Sequence, residues 1–261
     1  MSRIFGVSVH DLRSEHALRE LCEGFLDGDR TFRIFTPNPE ILLRARHDPA
    51  YAGVLNSADL ALPDGTGVAV VESLRSGRRV RRWPGIEIAG LLLRIAADRG
   101  AAVVLLGGAH NVAEEAAARW REAAPGLRIE VVGAGIPFTD DGVAGTVARE
   151  AEVGRAIASV RPAIVLVGLG APKQEQWIAR HVETLPSVRI MMGVGGTFDM
   201  WAGRLERAPK LLHRLGLEWA WRLALEPRRL RRILRATVVF PIRAFTERAN
   251  GVRRGRATSE R

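Results

Sequence analysis

The sequence contains a single cysteine and no apolar run long enough to cross a membrane. Cys22 alone cannot form an internal disulfide, so we expect the protein to fold in a reducing compartment such as the cytoplasm. The longest apolar stretches, such as 163–171 and 236–242, are far shorter than the roughly 18–20 residues of a membrane span. The N-terminal segment MSRIFGVSVHDL has no apolar region of signal-peptide length, so we predict no secretion signal.

Several motifs of nucleotide and metal chemistry are also missing. No G-x-G-x-x-G follows the first apolar run and no G-x-x-x-x-G-K-[ST] occurs, which disfavours dinucleotide and P-loop nucleotide binding. The histidines are scattered, with no HExxH and no Cys/His cluster, so the sequence offers no candidate metal ligands. An Asp-Gly-Asp at 27–29 fits a metal motif of some sugar transferases, but its position favours a turn that ends the first helix. We therefore predict no metal and no cofactor.

Short apolar runs alternate with helical patterns along most of the chain. The runs AAVVLLGG (101–108) and PAIVLVGLG (162–170) are nearly continuous, which is typical of strands in a buried parallel sheet. We predict strands at 3–9, 31–38, 58–64, 101–108, 127–135, 162–170 and 188–196. We predict helices at 11–26, 39–57, 65–76, 85–99, 111–123, 141–160 and 172–184.

This alternation predicts an α/β fold, a mostly parallel sheet with helices on both faces (an α/β/α sandwich, Rossmann-like). We assign it to residues 1–200 as a catalytic domain. Residues 201–261 are predicted to form a basic, Trp/Arg-rich helical C-terminal appendage. In such a fold, ligands bind at the carboxyl ends of the strands, so the loops that follow the strands are the places to look for a site.

Positive charge is concentrated in that appendage. Residues 204–256 hold 14 Arg and one Lys against four Glu, a net charge of +11, while the whole chain carries +10. Such a block predicts an anionic partner: nucleic acid, a phosphate-bearing ligand or an acidic membrane surface. A basic tail that only keeps the protein soluble is the simpler alternative.

The segment 216–234 is predicted to be a basic amphipathic helix, with Pro227 as a kink or a new first turn. Three of its arginines share one broad face, and tryptophans nearby suit a boundary between water and apolar groups. This composition favours contact with a membrane surface, and arginines on one face also suit bidentate binding of a diphosphate. The arginines on this face are Arg222, Arg229 and Arg232.

Four polar residues lie at the ends of predicted strands or just after them, in segments rich in Gly and Pro. Asp64, in LPDGTG, is either a solvated turn residue or a catalytic base at the mouth of a cleft. Thr36 and Asn38, in TPNPE, could hydrogen-bond a sugar or a phosphate, although Asn38 before Pro39 also fits a helix N-cap. Gln174 lies in the first turn of a predicted helix, where free N–H groups and a side-chain amide could bind a phosphate or a carbonyl.

Five segments in this order carry a family resemblance: TPNPEILLRAR (36–46), LNSADLALPDGTGV (55–68), GLGAPKQEQWI (168–178), GVGGTFDMWAGRLERAP (193–209) and GLEWAWRLALEPRRLRR (216–232). Over nearly its whole length the chain resembles the bacterial WecG/TagA/CpsF glycosyltransferases, also known as glycosyltransferase family 26. Five ordered motifs are far more specific than any one of them. Leu211, where the family has an aromatic residue, and the loop at 135–142 depart from the family's pattern. The loop bears on the acceptor or the donor sugar more than on the type of reaction.

The resemblance implies an inverting, metal-independent transfer from a UDP-sugar to a polyprenyl-diphosphate-linked saccharide. The sugar would be N-acetylmannosamine, its uronate or glucose, and the product would enter cell-surface polysaccharide or teichoic acid. The reaction would take place on the inner face of the cytoplasmic membrane. The C-terminal segment would contact an anionic membrane surface there and complete the active site.

The resemblance also implies roles for particular residues. Asp64 matches the general base and Thr36 matches an active-site hydroxyl. Asn38 and Gln174 fall in motifs that line the same pocket. The residues implied to reach the UDP phosphates are Arg222, Arg229 and Arg232.

Two other functions are compatible with the same sequence. The chain could be a polyanion- or nucleic-acid-binding α/β protein with a basic tail, although it contains no recognised DNA- or RNA-binding motif. It could also be a nucleotide-sugar-binding homologue that has lost activity. Loss of Asp64 separates these from a transferase, because only a transferase needs the carboxylate for turnover. Because the sequence has no recognised DNA- or RNA-binding motif, we predict no nucleic-acid partner. Whether the chain associates with itself stays open.

Overall fold

The computed structural model describes residues 2–139, 142–143, 147–205, 209, 212, 218–225 and 230–247. Its strands are β1 (Ser2–Ile4), β2 (Val7–Val9), β3 (Phe32–Phe35), β4 (Leu60–Ala61), β5 (Ala102–Gly107), β6 (Arg128–Val132), β7 (Phe138–Thr139), β8 (Gly142–Val143), β9 (Ile164–Gly168) and β10 (Ile190–Gly193). Six of them form one sheet in the order β4-β3-β10-β9-β5-β6, with every neighbouring pair parallel.

Helices cover both faces of this sheet. They are α1 (Glu15–Leu26), α2 (Pro39–Ala45), α3 (Pro49–Asn56), α4 (Thr66–Ser76), α5 (Gly85–Arg99), α6 (Val112–Ala123), α7 (Val147–Val160), α8 (Lys173–His181), α9 (Thr197–Trp201), α10 (Glu218–Leu225) and α11 (Leu230–Leu234). A π-helical turn (Arg235–Val239) and a helical stretch at 240–247 follow α11. One face packs against α1, α5, α6 and α9, and the other against α2, α3, α4, α7, α8 and the helix at 240–247.

The apolar strands have two buried faces, which explains their nearly continuous hydrophobicity. In β5, Val103 and Leu105 belong to the core under α5 and α6, while Val104 and Leu106 belong to the core under α7 and α8. Successive side chains of a strand point to opposite faces, so each of these residues has to be apolar. The α/β/α sandwich predicted from the sequence is confirmed.

The first predicted strand, 3–9, is wrong in detail. The chain reverses at Phe5 and Gly6, whose φ angles are +50° and +79°, so that β1 and β2 pair as an antiparallel hairpin. A two-residue turn with two positive φ angles matches the right-handed twist of the flanking strands. The hairpin lies outside the parallel sheet, against the core under α2 and α3.

Two predicted helices also differ from the structure. The segment 39–57 is two helices, because Pro49 starts α3 and Asp48 caps it by accepting a hydrogen bond from the Tyr51 N–H. The helix predicted at 141–160 begins at 147, since β7 and β8 pair just before it. Pro227, predicted to kink the C-terminal helix, lies outside the described residues.

The C-terminal helix at 240–247 packs onto the main body of the protein. Phe240 and Ala244 are buried in the core under α2 and α3, and the ring of Phe240 meets that of Phe5 edge to face at 5.8 Å. Within the described residues, no helix combines the length and the apolar character that spanning a bilayer requires.

Two glycines provide a matched test of the packing between the sheet and the helices, at the contact of β9 with α9. A Cβ atom at Gly168, at the end of β9, would overlap the buried ring of Phe198, whereas one at Gly154, inside α7, would meet nothing within 4 Å. We expect Gly168→Ala to lower the free energy of unfolding by about 1–3 kcal/mol, as other overpacked cores do. Gly154→Ala should raise it by about 0.5–1 kcal/mol, since alanine favours helix. Urea unfolding of both variants measures this, and equal effects would contradict the packing described.

Candidate active site

Asp64 lies on a turn that backbone hydrogen bonds hold from two sides. Its own N–H donates to the carbonyl oxygen of Pro37 over 3.2 Å, which ties the loop after β4 to the loop after β3. The N–H of Trp83 donates to the carbonyl oxygen of Pro63 over 2.8 Å. Trp83 is itself buried and bonds through Nε1 to the carbonyl oxygen of Leu12. The half-buried carboxylate of Asp64 is therefore carried by a fixed backbone.

Glycines let other elements come close to this turn. Gly65, the N-cap of α4, has a φ of +83°, and a Cβ atom there would lie 3.3 Å from the ring of Pro39. A Cβ atom at Gly67 would lie 3.2 Å from the carbonyl oxygen of Ala236 and 3.8 Å from the ring of Phe240. The C-terminal helical segment (residues 230–247) thus packs against the first turn of α4 at Gly67. Gly67 follows Asp64 by three residues in the chain.

Thr36 lies at the same edge of the sheet. β3 and β4 are parallel neighbours, with Phe35 opposite Ala61, so the residues that follow both strands emerge side by side. The hydroxyl of Thr36 is 3.1 Å from the position that a Cβ atom would take on Gly85, the buried first residue of α5. The structure therefore brings the two predicted catalytic residues to one end of adjacent strands.

Asn38 caps α2. Its Oδ1 accepts hydrogen bonds from the N–H groups of Glu40 and Ile41, each over 3.0 Å, and Pro39 occupies the first turn. The interpretation as a helix cap is confirmed. Contact of Asn38 with a substrate stays a prediction.

Gln174 is buried, and both ends of its amide bond within the protein. Its Oε1 accepts from the N–H of Gly195 over 2.9 Å, and its Nε2 donates to Oε1 of Glu175 over 2.7 Å. A Cβ atom at Gly193 would lie only 2.8 Å from that Nε2, so the glycine leaves room for the amide. Gln174 thereby fixes the loop after β10, and its binding of a substrate stays a prediction.

Glu175 and Tyr51 support Gln174 and were not identified from the sequence. The hydroxyl of Tyr51 donates to Oε2 of Glu175 over 3.0 Å, in a region that water does not reach. Burial raises the pKa of Glu175, while the hydrogen bonds from Gln174 and Tyr51 oppose that rise. The signals in the sequence were slight: Glu175 follows Gln174 directly, and Tyr51 is the single tyrosine of the chain.

The three arginines predicted to bind phosphates are described incompletely. Arg222 lies in α10 and Arg232 in α11, with side chains outside the description, and Arg229 lies outside the described residues altogether. Their approach to the site therefore stays a prediction. Nearby, Arg231 and Arg235 are exposed.

The Asp-Gly-Asp motif and the single cysteine both lie in the described part of the chain. No three His, Cys, Asp or Glu residues there are placed to hold a metal ion. Asp27 of the Asp-Gly-Asp motif caps the C-terminus of α1 and pairs with Arg99, which confirms the turn. Burial raises the pKa of the Cys22 thiol to about 12, so it is a poor nucleophile.

Comparison with known proteins identifies the family. Residues 2–254 match the model of the glycosyl transferase WecG/TagA/CpsF family. The chain belongs to this family. It is therefore a glycosyltransferase, as the five sequence motifs indicated.

Similar members of the family share a single described activity. An N-acetylglucosaminyldiphosphoundecaprenol N-acetyl-beta-D-mannosaminyltransferase of Bacillus spizizenii is 37% identical over 80% of this chain and 77% of its own length. Proteins of the same name from Staphylococcus aureus and Bacillus subtilis are 33% and 34% identical, each over 77% of this chain and 74% of their own length.

Substitution of Asn38 separates its cap from a role in binding. Asn38→Asp keeps the oxygen that caps α2 but replaces the amide donor by a negative charge, so we expect wild-type stability and a loss of glycosyl transfer. Asn38→Ala removes the cap and should lower the free energy of unfolding by about 1 kcal/mol. Thermal unfolding and transfer assays on both variants measure this. Full activity in Asn38→Asp would confine Asn38 to the cap.

The raised pKa of Glu175 makes stability depend on pH in a stated direction. Above its ordinary value of 4.5, the unfolded state holds fewer protons than the folded one, so stability falls as pH rises through this range. In urea unfolding from pH 4.5 to 7, the free energy of unfolding of Glu175→Gln should increase relative to that of the wild type as pH rises. That of Tyr51→Phe should decrease relative to the wild type, because this change removes a hydrogen bond from the ionised form. Differences that do not change with pH would contradict a buried carboxylate at this position.

Proposed function

We propose that the protein is an inverting transferase that moves N-acetylmannosamine from a UDP-sugar to a polyprenyl-diphosphate-linked N-acetylglucosamine. The uronate of that sugar and glucose are the other donors that the family resemblance implies. The names of the relatives support this sugar and this acceptor. The observation that carries the proposal is the position of Asp64, on a fixed turn beside Thr36 at the carboxyl end of the sheet.

In the proposed reaction, Asp64 takes the proton of an acceptor hydroxyl as its oxygen attacks the anomeric carbon of the donor. The bond from that carbon to the UDP oxygen breaks on the opposite face, so one displacement inverts the configuration. General-base help of this kind is typically worth about 10²–10⁴-fold in rate. A base carried by a fixed turn has little reorganisation to undergo.

The departing UDP gains negative charge, and this charge needs stabilisation. We assign this role to the C-terminal arginines, with Thr36, Asn38 and Gln174 lining the pocket. The proposal is metal-independent for this reason. Two features support it: the net charge of +11 in residues 204–256, and the packing of Ala236 and Phe240, within that stretch, against the first turn of α4.

The lipid-linked acceptor places the reaction at a membrane. We propose that the protein acts as a peripheral protein on the inner face of the cytoplasmic membrane, held by the basic appendage at 201–261. The exposed Arg231, Arg235 and Arg243 support this. Juxtamembrane basic residues gain about 1 kcal/mol each near anionic lipid.

The test is UDP release in EDTA, from UDP-N-acetylmannosamine, its uronate and UDP-glucose. The acceptor is a short-chain polyprenyl-diphosphate-linked N-acetylglucosamine. We expect release that depends on the acceptor in the wild type and falls about 10²–10⁴-fold in Asp64→Asn. The variant should keep its fold, because the hydrogen bond to Pro37 comes from the backbone of residue 64.

Asp29→Asn is the matched control, since Asp29 is an exposed acid of the Asp-Gly-Asp turn. It should keep wild-type activity. Loss of activity in this control, or in the wild type on chelation, would contradict a metal-independent reaction. Absence of release with every donor, together with retained binding of nucleic acid, would favour the polyanion-binding alternative.

A further inference from the structure

Most of the large apolar side chains that the described residues leave exposed belong to two helical segments. Leu21 on α1 is the exception, with 38% of its surface exposed. The others are Val70 and Leu74 on α4 and Leu230, Leu234, Val238, Ile242 and Phe245 in the C-terminal helical segment. Contiguous exposed apolar surface on a protein usually marks a site of interaction.

The five C-terminal residues form a row along one side of their segment. They recur at every fourth position and then at the third, whereas Phe240 and Ala244, on the opposite side, are buried in the core. In an α-helix, a four-residue spacing drifts by about 40° per step. The wider π turn at Arg235–Val239 turns less per residue and offsets this drift, so the row stays on one side.

The exposed residues of α4 lie on a helix whose first turn adjoins this segment. A Cβ atom on Gly67 would lie 3.2 Å from the carbonyl oxygen of Ala236 and 3.8 Å from the ring of Phe240. Val70 and Leu74 lie one and two turns further along the same face of α4 as Gly67, with 49% and 66% of their surfaces exposed. Val70 and Leu74 therefore continue the side of α4 that, at Gly67, adjoins the C-terminal segment.

Positive charge borders both sets. Arg231, Arg235 and Arg243 are exposed on the C-terminal segment, and Arg78 and Arg79 are exposed just after α4. Apolar rows edged by arginine are typical of elements that lie in the interface of an anionic bilayer, with apolar groups among the acyl chains and guanidinium groups at the phosphates.

We infer that α4 and the C-terminal helical segment form one lipid-contacting surface, in which Val70 and Leu74 enter an anionic bilayer together with the C-terminal row. The inference rests on the proposed function in one respect, that a lipid-linked acceptor requires the site to meet a membrane. It goes further in assigning lipid contact to the helix that begins two residues after Asp64. Docking on lipid then sets the height of the catalytic turn above the bilayer.

Co-sedimentation of the full chain with phosphatidylglycerol-containing vesicles, and with phosphatidylcholine vesicles, tests the inference. The variant Val70→Thr/Leu74→Gln removes apolar surface without changing charge, and we expect its affinity for the anionic vesicles to fall by roughly tenfold. Leu21→Gln is the matched control and should bind as the wild type does. Val238→Thr/Ile242→Gln should weaken binding as the α4 variant does.

Wild-type affinity in the α4 variant, or absence of binding by the wild type, would overturn the inference. So would a loss of self-association in the α4 variant without weaker vesicle binding, since the surface would then contact a second copy of the chain. These readouts need no transfer activity, so they stand apart from failure of the proposed function. Where transfer is measured, the α4 variant should match the wild type on a short-chain acceptor in solution and fall behind it on a long-chain acceptor in vesicles.

Discussion

Parallel pairing of β3, β4 and β10 is the constraint on which the site depends. Because all three strands run the same way, the loops that follow them leave one edge of the sheet, and polar groups that are distant in the chain become neighbours. The hydrogen bond from the Asp64 N–H to Pro37 then joins two of these loops. Backbone bonding thus sets the relative position of the loops that carry Thr36 and Asp64.

The loop after β10 is fixed by a different means, a buried polar network. Gln174, Glu175 and Tyr51 satisfy one another in a region from which water is excluded. Burying a carboxylate is unfavourable, and the hydrogen bonds from two neutral donors reduce that penalty. Such a network specifies one arrangement of the loop, because any other arrangement would leave polar groups unpaired.

Several local features were predicted well from the sequence, whereas one tight turn and the contacts between distant residues were not. Helix α5 begins and ends where its apolar periodicity does, and the cap at Asn38 follows from Asn-Pro alone. The hairpin at Phe5 was missed, because its turn consists of only two residues, Phe5 and Gly6, and contains no proline that would mark it in the sequence. The bond between Tyr51 and Glu175 joins residues 124 positions apart, so no pattern within a window reveals it. Proximity of Thr36 to Gly85 likewise appears only after folding.

The contact between Phe5 and Phe240 joins a segment made early to one made late. During synthesis on the ribosome, the hairpin emerges first and its apolar ring stays uncovered until the C-terminal helix is released. The surface shared by α4 and the C-terminal segment is therefore complete only after residue 240 has left the ribosome, so a chain still in synthesis cannot present all of it.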